Sequence, residues 1–367
     1  MRVLIVANNL LMGGAERLAL DLVGALQGQG FEFVVGSIRR DEALREAFER
    51  AGAVVRTGLA RWRFDPAAPI RLARIIRRHR IDAVIVLDAI RNGMFYSFVG
   101  AAFSGRRVGR ICWCHSTPGG KAGRFVPLLR AYRATGMLDA VVCVSRHLRG
   151  LLKARGLARR ALVIPNGLDA AAFDGAAPAS LDVPKDKHVL VQVANAVEDK
   201  DPDTLLKAAA HLAARRDDFL LLLVGRGTDS PAMNEAIRRS GAAGCVRALG
   251  HRGDVAAILP AADVFVLSTK METFGLAVAE AMAAGLPVVA SDVPAFEELF
   301  THEREGMKVP PGDPAALADA IERLLDDADL RRRLAEAGRR RARAFPLGRM
   351  VRRWKRLLVV WRPDGQA

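Results

Sequence analysis

Short apolar runs alternate with amphipathic segments from one end of the chain to the other. In the first half the runs fall at 2–7, 31–37, 53–56, 81–87, 107–113, 140–144 and 161–164. In the second half they fall near 188–194, 219–225, 245–248, 263–268, 287–290 and 306–309. Strand and helix in strict alternation mean parallel pairing, because parallel neighbours need a long crossover and the amphipathic stretches supply it. One such stretch is "GAERLALDLVGALQGQG" at 14–30, a helix expected to end on glycine. The pattern predicts parallel sheets with helices on both faces. Two such runs predict an α/β protein of two doubly wound domains.

The 367 residues leave room for two ordinary domains. A boundary shows in "DAAAFDGAAPASLDVPKDK" at 169–187, which lacks periodicity and is rich in Ala, Pro, Gly and Asp. We expect one domain over 1–175, a second over 176–345, and a basic helical segment over 346–367. The last carries an apolar stripe of Trp354, Leu357, Leu358 and Trp361. No apolar window reaches the roughly 18 residues of a membrane span. The start, "MRVLIVANNL", is too short in its apolar run for a signal peptide and reads as a first strand. A cytoplasmic location is expected.

The net charge of +16 is unevenly placed. Residues 1–175 carry +15, residues 176–330 carry −10, and residues 331–367 carry +11. Basic regions of this kind attract nucleic acid, anionic lipid or phosphorylated substrates. Arginine that merely solvates a surface gives the same composition. The cysteines are Cys112, Cys114, Cys143 and Cys245. The Cys-x-Cys pair has no second ligand pair at zinc spacing, so reduced thiols are expected and no metal site.

The stretch "TKMETFGLAVAEAMAAGLPVVASD" at 269–292 places two carboxylates, Glu272 and Glu280, on either side of a Phe-Gly step. The strand "DVFVLS" precedes it, and "TFGLAVAEAMAAG" at 273–285 reads as a helix closed by Gly285. Glu272 then lies at the carboxyl end of a parallel strand, where open α/β sheets bind ligands. Eight residues of mostly helical chain span about 12 Å, too far for a close acid/base pair. The amides of Thr273, Phe274, Gly275 and Leu276 lie between them, at a helix N-terminus that suits phosphate. A ligand with hydroxyls at one end, a diphosphate in the middle and a ribose beyond fits this order. That describes a nucleotide sugar. The plain alternative is that Glu272 caps the helix and Glu280 is solvated.

"ETFGLAVAE" followed by "AMAAGLPVVAS" resembles the core motif of the family 4 glycosyltransferases. The resemblance spans nearly the whole chain, through "GGAERLALDL", "VVCVSRHLRGLL", "VIPNGLDAAAF", "LLLVGRG", "VRALGHRGDV" and "ILPAADVFVLS" in family order. It implies the GT-B fold, two Rossmann-like domains facing each other across a cleft, with the donor held mostly by the C-terminal domain. It also implies that the basic last helix crosses back onto the first domain, making one basic face.

Residue by residue, the resemblance implies that Glu272 contacts the transferred sugar and Glu280 the ribose hydroxyls. Lys200, in "VANAVEDKDPD", matches the lysine that neutralises the diphosphate, and that charge is worth most in the transition state. The family often has Gly-Arg after the second domain's first strand. Here Ala194 and Asn195 stand there, so the second cation is missing unless another residue such as Arg226 supplies it. Gly13 and Gly14 open a helix after the first strand and can approach phosphate through their amides. Glu16 beside them suits the helix N-terminus. His115 matches a histidine that faces the donor sugar. "GHRGDV", around Arg252, matches the loop that cradles the base.

The implied reaction retains the configuration at the sugar carbon. No carboxylate is placed as a nucleophile, unlike retaining hydrolases. No cofactor or metal is implied by the resemblance. The implied donor is UDP- or GDP-linked. The acceptor is expected to be a glycan or a lipid-linked molecule in cell-surface polysaccharide, lipopolysaccharide or glycolipid assembly. The basic face, the apolar "NGMFYSFVGAAFSG" at 92–105 and the Trp-bearing tail point to an anionic membrane surface and a peripheral location on its inner face. The rival readings are a nucleotide-sugar epimerase or hydrolase on the same fold, and a non-catalytic basic protein binding membrane or nucleic acid. "VANNLLMGGAER" lacks the Gly-x-Gly-x-x-Gly of a nicotinamide dehydrogenase. Nucleic acid is not expected as a partner, because no RNA-binding aromatic motif or zinc finger is present.

Overall fold

A computed structural model describes residues 1–88, 91–116, 126–157 and 161–360; Trp361 of the expected apolar stripe lies outside them. Every apolar run named above is a strand, with ends within two residues of those expected. The chain forms two compact units.

The first unit takes Met1–Gly167 and the last helix. Its strands are β1 (Arg2–Ala7), β2 (Glu32–Ser37), β3 (Val54–Arg56), β4 (Ala83–Leu87), β5 (Gly109–Cys114), β6 (Ala140–Cys143) and β7 (Ala161–Val163). Between them run helices α1 (Gly14–Leu26), α2 (Arg45–Arg50), α3 (Ala68–Arg78), α4 (Arg91–Phe103), α5 (Val126–Ala134) and α6 (Arg146–Ala154). The sheet order is β3-β2-β1-β4-β5-β6-β7, parallel throughout. Val3 to Val6 and Ala83 to Val86 are buried on both faces, which is why these strands read as continuous apolar runs rather than alternating ones.

The second unit is Leu168–Pro346. Its strands are β8 (His188–Val193), β9 (Phe219–Val224), β10 (Val246–Gly250), β11 (Val264–Leu267), β12 (Val288–Ser291) and β13 (Met307–Val309). Its helices are α7 (Pro202–Ala213), α8 (Pro231–Arg239), α9 (Val255–Ile258), α10 (Leu276–Ala283), α11 (Pro314–Asp326) and α12 (Ala328–Ala342). The sheet order is β10-β9-β8-β11-β12-β13, again all parallel. In each unit the winding direction reverses beside the first strand, between β1 and β4 and between β8 and β11. At such a switch point the loops diverge and leave a crevice.

The last helix, α13 (Leu347–Val360), buries Met350, Trp354 and Leu358. These recur every four residues and so form one face of the helix. The Gly167 amide points at the Met350 Sδ over 3.3 Å, and Arg353 donates to the Val163 carbonyl over 3.3 Å.

Two helices differ from expectation. α1 stops at Leu26 rather than at residue 30. The Gln27 amide closes onto the Val23 carbonyl, and the Gln27 side chain accepts from the Phe33 amide over 3.1 Å, so residues 27–30 turn the chain into β2. α10 starts at Leu276 rather than 273, because Gly275 before it is in the left-handed region. Among the described residues no helix is long and apolar enough to cross a membrane.

Candidate active site

The loops after β8 and β11 meet at the second unit's switch point. A single 3-10 turn, Glu198–Lys200, follows β8. Its backbone is bound to the loop after β11: the Thr269 hydroxyl and the Lys270 amide both donate to the Asp199 carbonyl, over 2.9 and 2.8 Å. The Ser268 hydroxyl donates to the Asp201 carbonyl over 2.9 Å, and Lys270 lies 3.6 Å from the buried Asp201 carboxylate. Buried backbone groups require such partners, and here side chains and backbone of one loop supply them to the other. Across this join the Lys200 ammonium forms an ion pair with Glu272, whose side chain is 10% exposed.

Thr273 and Phe274 lie in the turn before α10 and not in the helix. Gly275 is its N-cap, at φ 90°. A Cβ there would sit 2.4 Å from Phe296 Cε1, so the position needs glycine for both its backbone angle and its space. Phe274 is buried and packs edge-on to Phe345 at 5.4 Å, so its ring is committed to the core. No side chain caps α10, and Leu276 begins it. Glu280 lies in the following turn, half-buried.

Asn195 sits just beyond β8. Its side-chain oxygen accepts from the Arg226 amide over 3.2 Å, and the Ala196 amide donates to the Arg226 carbonyl over 2.9 Å. The two loops touch because residue 225 is glycine: a Cβ there would lie 2.0 Å from the Ala194 carbonyl oxygen. Arg226 is half-buried, and among the described residues no acceptor holds its guanidinium. Arg252 instead grips Asp254 through both Nε and Nη2, over 2.8 and 2.6 Å. That guanidinium holds the Asp254 carboxyl below the usual range.

In the first unit, Gly13 is the N-cap of α1, with extended backbone and no side-chain cap. Gly14 begins the helix and is exposed, and Glu16 lies in its first turn. His115 follows β5. Its Nε2 is buried, with no hydrogen-bond partner among the described residues. Burial pushes the imidazole down to about 4, against the opposing pull of Asp88, so the ring is neutral at pH 7. The Asp88 carboxylate accepts from the amides of His115 and Ser116 over 3.2 and 3.0 Å, and from the Ser116 hydroxyl. All four cysteines are free and buried, and burial pushes Cys143 up to about 12.

Asp88 escaped the sequence analysis, although its signal was available. It ends the apolar run of β4 at the switch point beside β1, the same kind of place that singled out His115. It adopts φ 63°, a backbone that aspartate tolerates better than most residues. The Asp199, Ser268 and Thr269 lattice was also missed, since backbone acceptors carry no residue signature.

Two doubly wound units, each with polar groups gathered at its switch point, define a two-domain α/β enzyme of the GT-B class. Two family models divide the chain: "Glycosyltransferase Family 4" matches residues 12–172 and "Glycosyl transferases group 1" matches residues 175–341. The chain belongs to this family and is a glycosyltransferase. It is 28% identical, over 89% of each chain, to a lipopolysaccharide core biosynthesis glycosyltransferase, LpsE, of Rhizobium meliloti (strain 1021). It is 37% identical, over 50% of each chain, to a phosphatidyl-myo-inositol mannosyltransferase of Mycobacterium leprae. The crystal structure of Anabaena Alr3699/HepE in complex with UDP and glucose has the same fold, with a TM-score of 0.84 and 19% identity over 98% of this chain and 99% of that one.

Proposed function

We propose that the chain transfers a sugar from a nucleoside-diphosphate sugar to a hydroxyl acceptor with retention of configuration. The observation that carries this is the Lys200–Glu272 pair beside the uncapped start of α10, at the second unit's switch point. A diphosphate there meets the first amides of α10, the Lys200 ammonium and the Arg226 guanidinium. Glu280, one turn further along, takes the ribose hydroxyls, and the loop around Arg252 takes the base. Gly13 and Gly14 match the family's first glycine loop, whose amides suit phosphate. Glu272 hydrogen-bonds the transferred sugar; the family resemblance gives the same role to the neutral His115 imidazole of the first unit.

The acceptor hydroxyl forms the new bond to the sugar carbon on the face from which the diphosphate leaves. The carbon–oxygen bond to the diphosphate breaks, and the leaving phosphate oxygen takes the hydroxyl proton. Lys200 and the α10 amides stabilise the negative charge that grows on the diphosphate, which is where cations accelerate such a step. A UDP-linked donor fits the likeness to HepE in complex with UDP and glucose, and a lipopolysaccharide acceptor fits the LpsE likeness. No cofactor or metal is assigned a role.

A peripheral location on an anionic membrane is supported by the first unit's surface. Every exposed Phe or Trp among the described residues lies there: Trp62, Phe64, Phe95 and Phe103. Tyr96 donates to the Arg63 carbonyl over 2.8 Å, so α4 holds the Arg61–Phe64 loop beside Phe95. Aromatic side chains interleaved with Arg61 and Arg63 suit a headgroup layer.

Calorimetric titration with UDP, GDP and ADP tests the donor reading. Binding of one nucleotide, weakened by Lys200→Ala and by Glu280→Ala, supports it. No binding of any of the three by the folded protein sinks it. Sedimentation with anionic vesicles at low salt, lost in Trp62→Ala/Phe64→Ala, tests the membrane reading.

A further inference from the structure

Trp113 is the fifth residue of β5, fully buried, and it lies between two other rings. Trp354 of α13 packs on it at 4.6 Å between ring centroids, tilted by 55°. His115 packs on it at 5.0 Å, tilted by 44°. The order is therefore Trp354, Trp113, His115, running from α13 to the carboxyl end of β5, the strand next to β4. Trp354 is also fully buried, on the same face of α13 as Met350 and Leu358.

His115 is fixed in two different ways. Its backbone is fixed by Asp88, through the His115 and Ser116 amides. Its ring is not fixed by a hydrogen bond at Nε2, because among the described residues that atom has no partner. The imidazole has two side-chain torsions, and the aromatic ring packed against it is that of Trp113. Trp113 in turn packs on Trp354. Tilted aromatic neighbours at these separations have preferred angles, so a change in the outer ring passes to the inner one. Close-packed interiors transmit such changes rather than absorb them.

From this we infer that Trp354 is a positioning residue: through Trp113 it sets the orientation of the His115 imidazole. The inference rests on the proposed sugar-facing role of His115 only for its effect on turnover. The ring ladder itself is independent of that role. It gives the C-terminal helix a part in the site beyond closing the first unit's core.

The test uses the full chain with histidine labelled at ring Cε1, read by NMR, and UDP release from UDP-glucose as the kinetic probe. The His115 signal is assigned by its loss in His115→Gln. Trp354→Leu and Trp354→Met both remove the outer ring while filling much of its volume; whichever unfolds cooperatively is read. The expected result is a displaced or broadened His115 signal and a fall of about tenfold in kcat with KM unchanged, because a small misplacement of a reacting group costs rate rather than binding. Trp354→Phe, which keeps a ring against Trp113, is expected to restore most of both. An unmoved His115 signal in a cooperatively folding variant overturns the inference. A moved signal with unchanged turnover upholds the ladder and overturns instead the assignment of His115 to the transferred sugar.

Discussion

Lys200 and Glu272 form an ion pair that joins the loop after β8 to the loop after β11. Both side chains are mostly buried, at 25% and 10% exposure, so neither charge is well hydrated without the other. Removing one partner leaves a desolvated charge. Lys200→Met and Glu272→Gln should each cost about 1–3 kcal/mol in urea unfolding, and the double variant less than their sum. Additive losses would show that the pair is not coupled. The pair also bears on donor binding, since a diphosphate must compete with Glu272 for the Lys200 ammonium. Glu272→Gln should therefore tighten free UDP while slowing transfer, whereas Lys200→Met should weaken UDP.

Gly275 makes a second, sharper prediction. Its φ of 90° costs an L side chain about 1–2 kcal/mol, and a Cβ 2.4 Å from the Phe296 ring forces repacking worth about 1–3 kcal/mol more. Gly275→Ala should lose roughly 2–5 kcal/mol of stability by these two terms. UDP binding should fall with it, because the start of α10 shifts. Near-wild-type unfolding together with full UDP affinity would mean that the turn re-forms with another backbone.

The strands were legible because parallel strands buried on both faces leave unbroken apolar runs, as at "VLIV" in β1 and "LLLLV" in β9. Helix ends were less so. The start of α10 depends on a glycine whose missing Cβ leaves room for Phe296, twenty-one residues away in sequence, and no local pattern encodes it. At the site, Glu272 and Lys200 were legible as separate motif positions. Their pairing was not, since it is made by the Asp199 and Asp201 backbone docking on Ser268 and Thr269. Trp354 was legible as part of an apolar stripe, but its approach to Trp113 follows from how α13 packs.

Acid should weaken the fold through His115. Its folded-state value is depressed from 6.5 to about 4 by burial, so the folded chain refuses a proton that the unfolded chain accepts. This group's contribution is fully present above about pH 6.5 and is lost as pH falls through the interval from 6.5 to 4. The slope for one proton is at most about 1.4 kcal/mol per pH unit. Denaturant unfolding at pH 7, 6, 5 and 4.5 should show falling stability, and His115→Gln should flatten that fall. Parallel pH profiles for the two proteins would contradict a buried neutral imidazole.

Arg226 offers the most discriminating test of the donor site, because its two roles separate cleanly. Its backbone amide donates to the Asn195 side chain and its carbonyl accepts from Ala196. Neither bond uses the guanidinium, so Arg226→Ala leaves the join between the β8 and β9 loops in place. If the guanidinium meets the diphosphate, the variant should lose a charge-assisted contact of about 1.5–3 kcal/mol, or roughly 10- to 100-fold in UDP affinity. Uridine, which has no phosphate, should bind both proteins equally, and the salt dependence of UDP binding should become shallower. Asn195→Arg added to Arg226→Ala moves the cation one strand across and should recover part of the loss. Unchanged UDP affinity in Arg226→Ala would assign the diphosphate to Lys200 and the α10 amides alone, with Asn195 serving only to tie the two loops together.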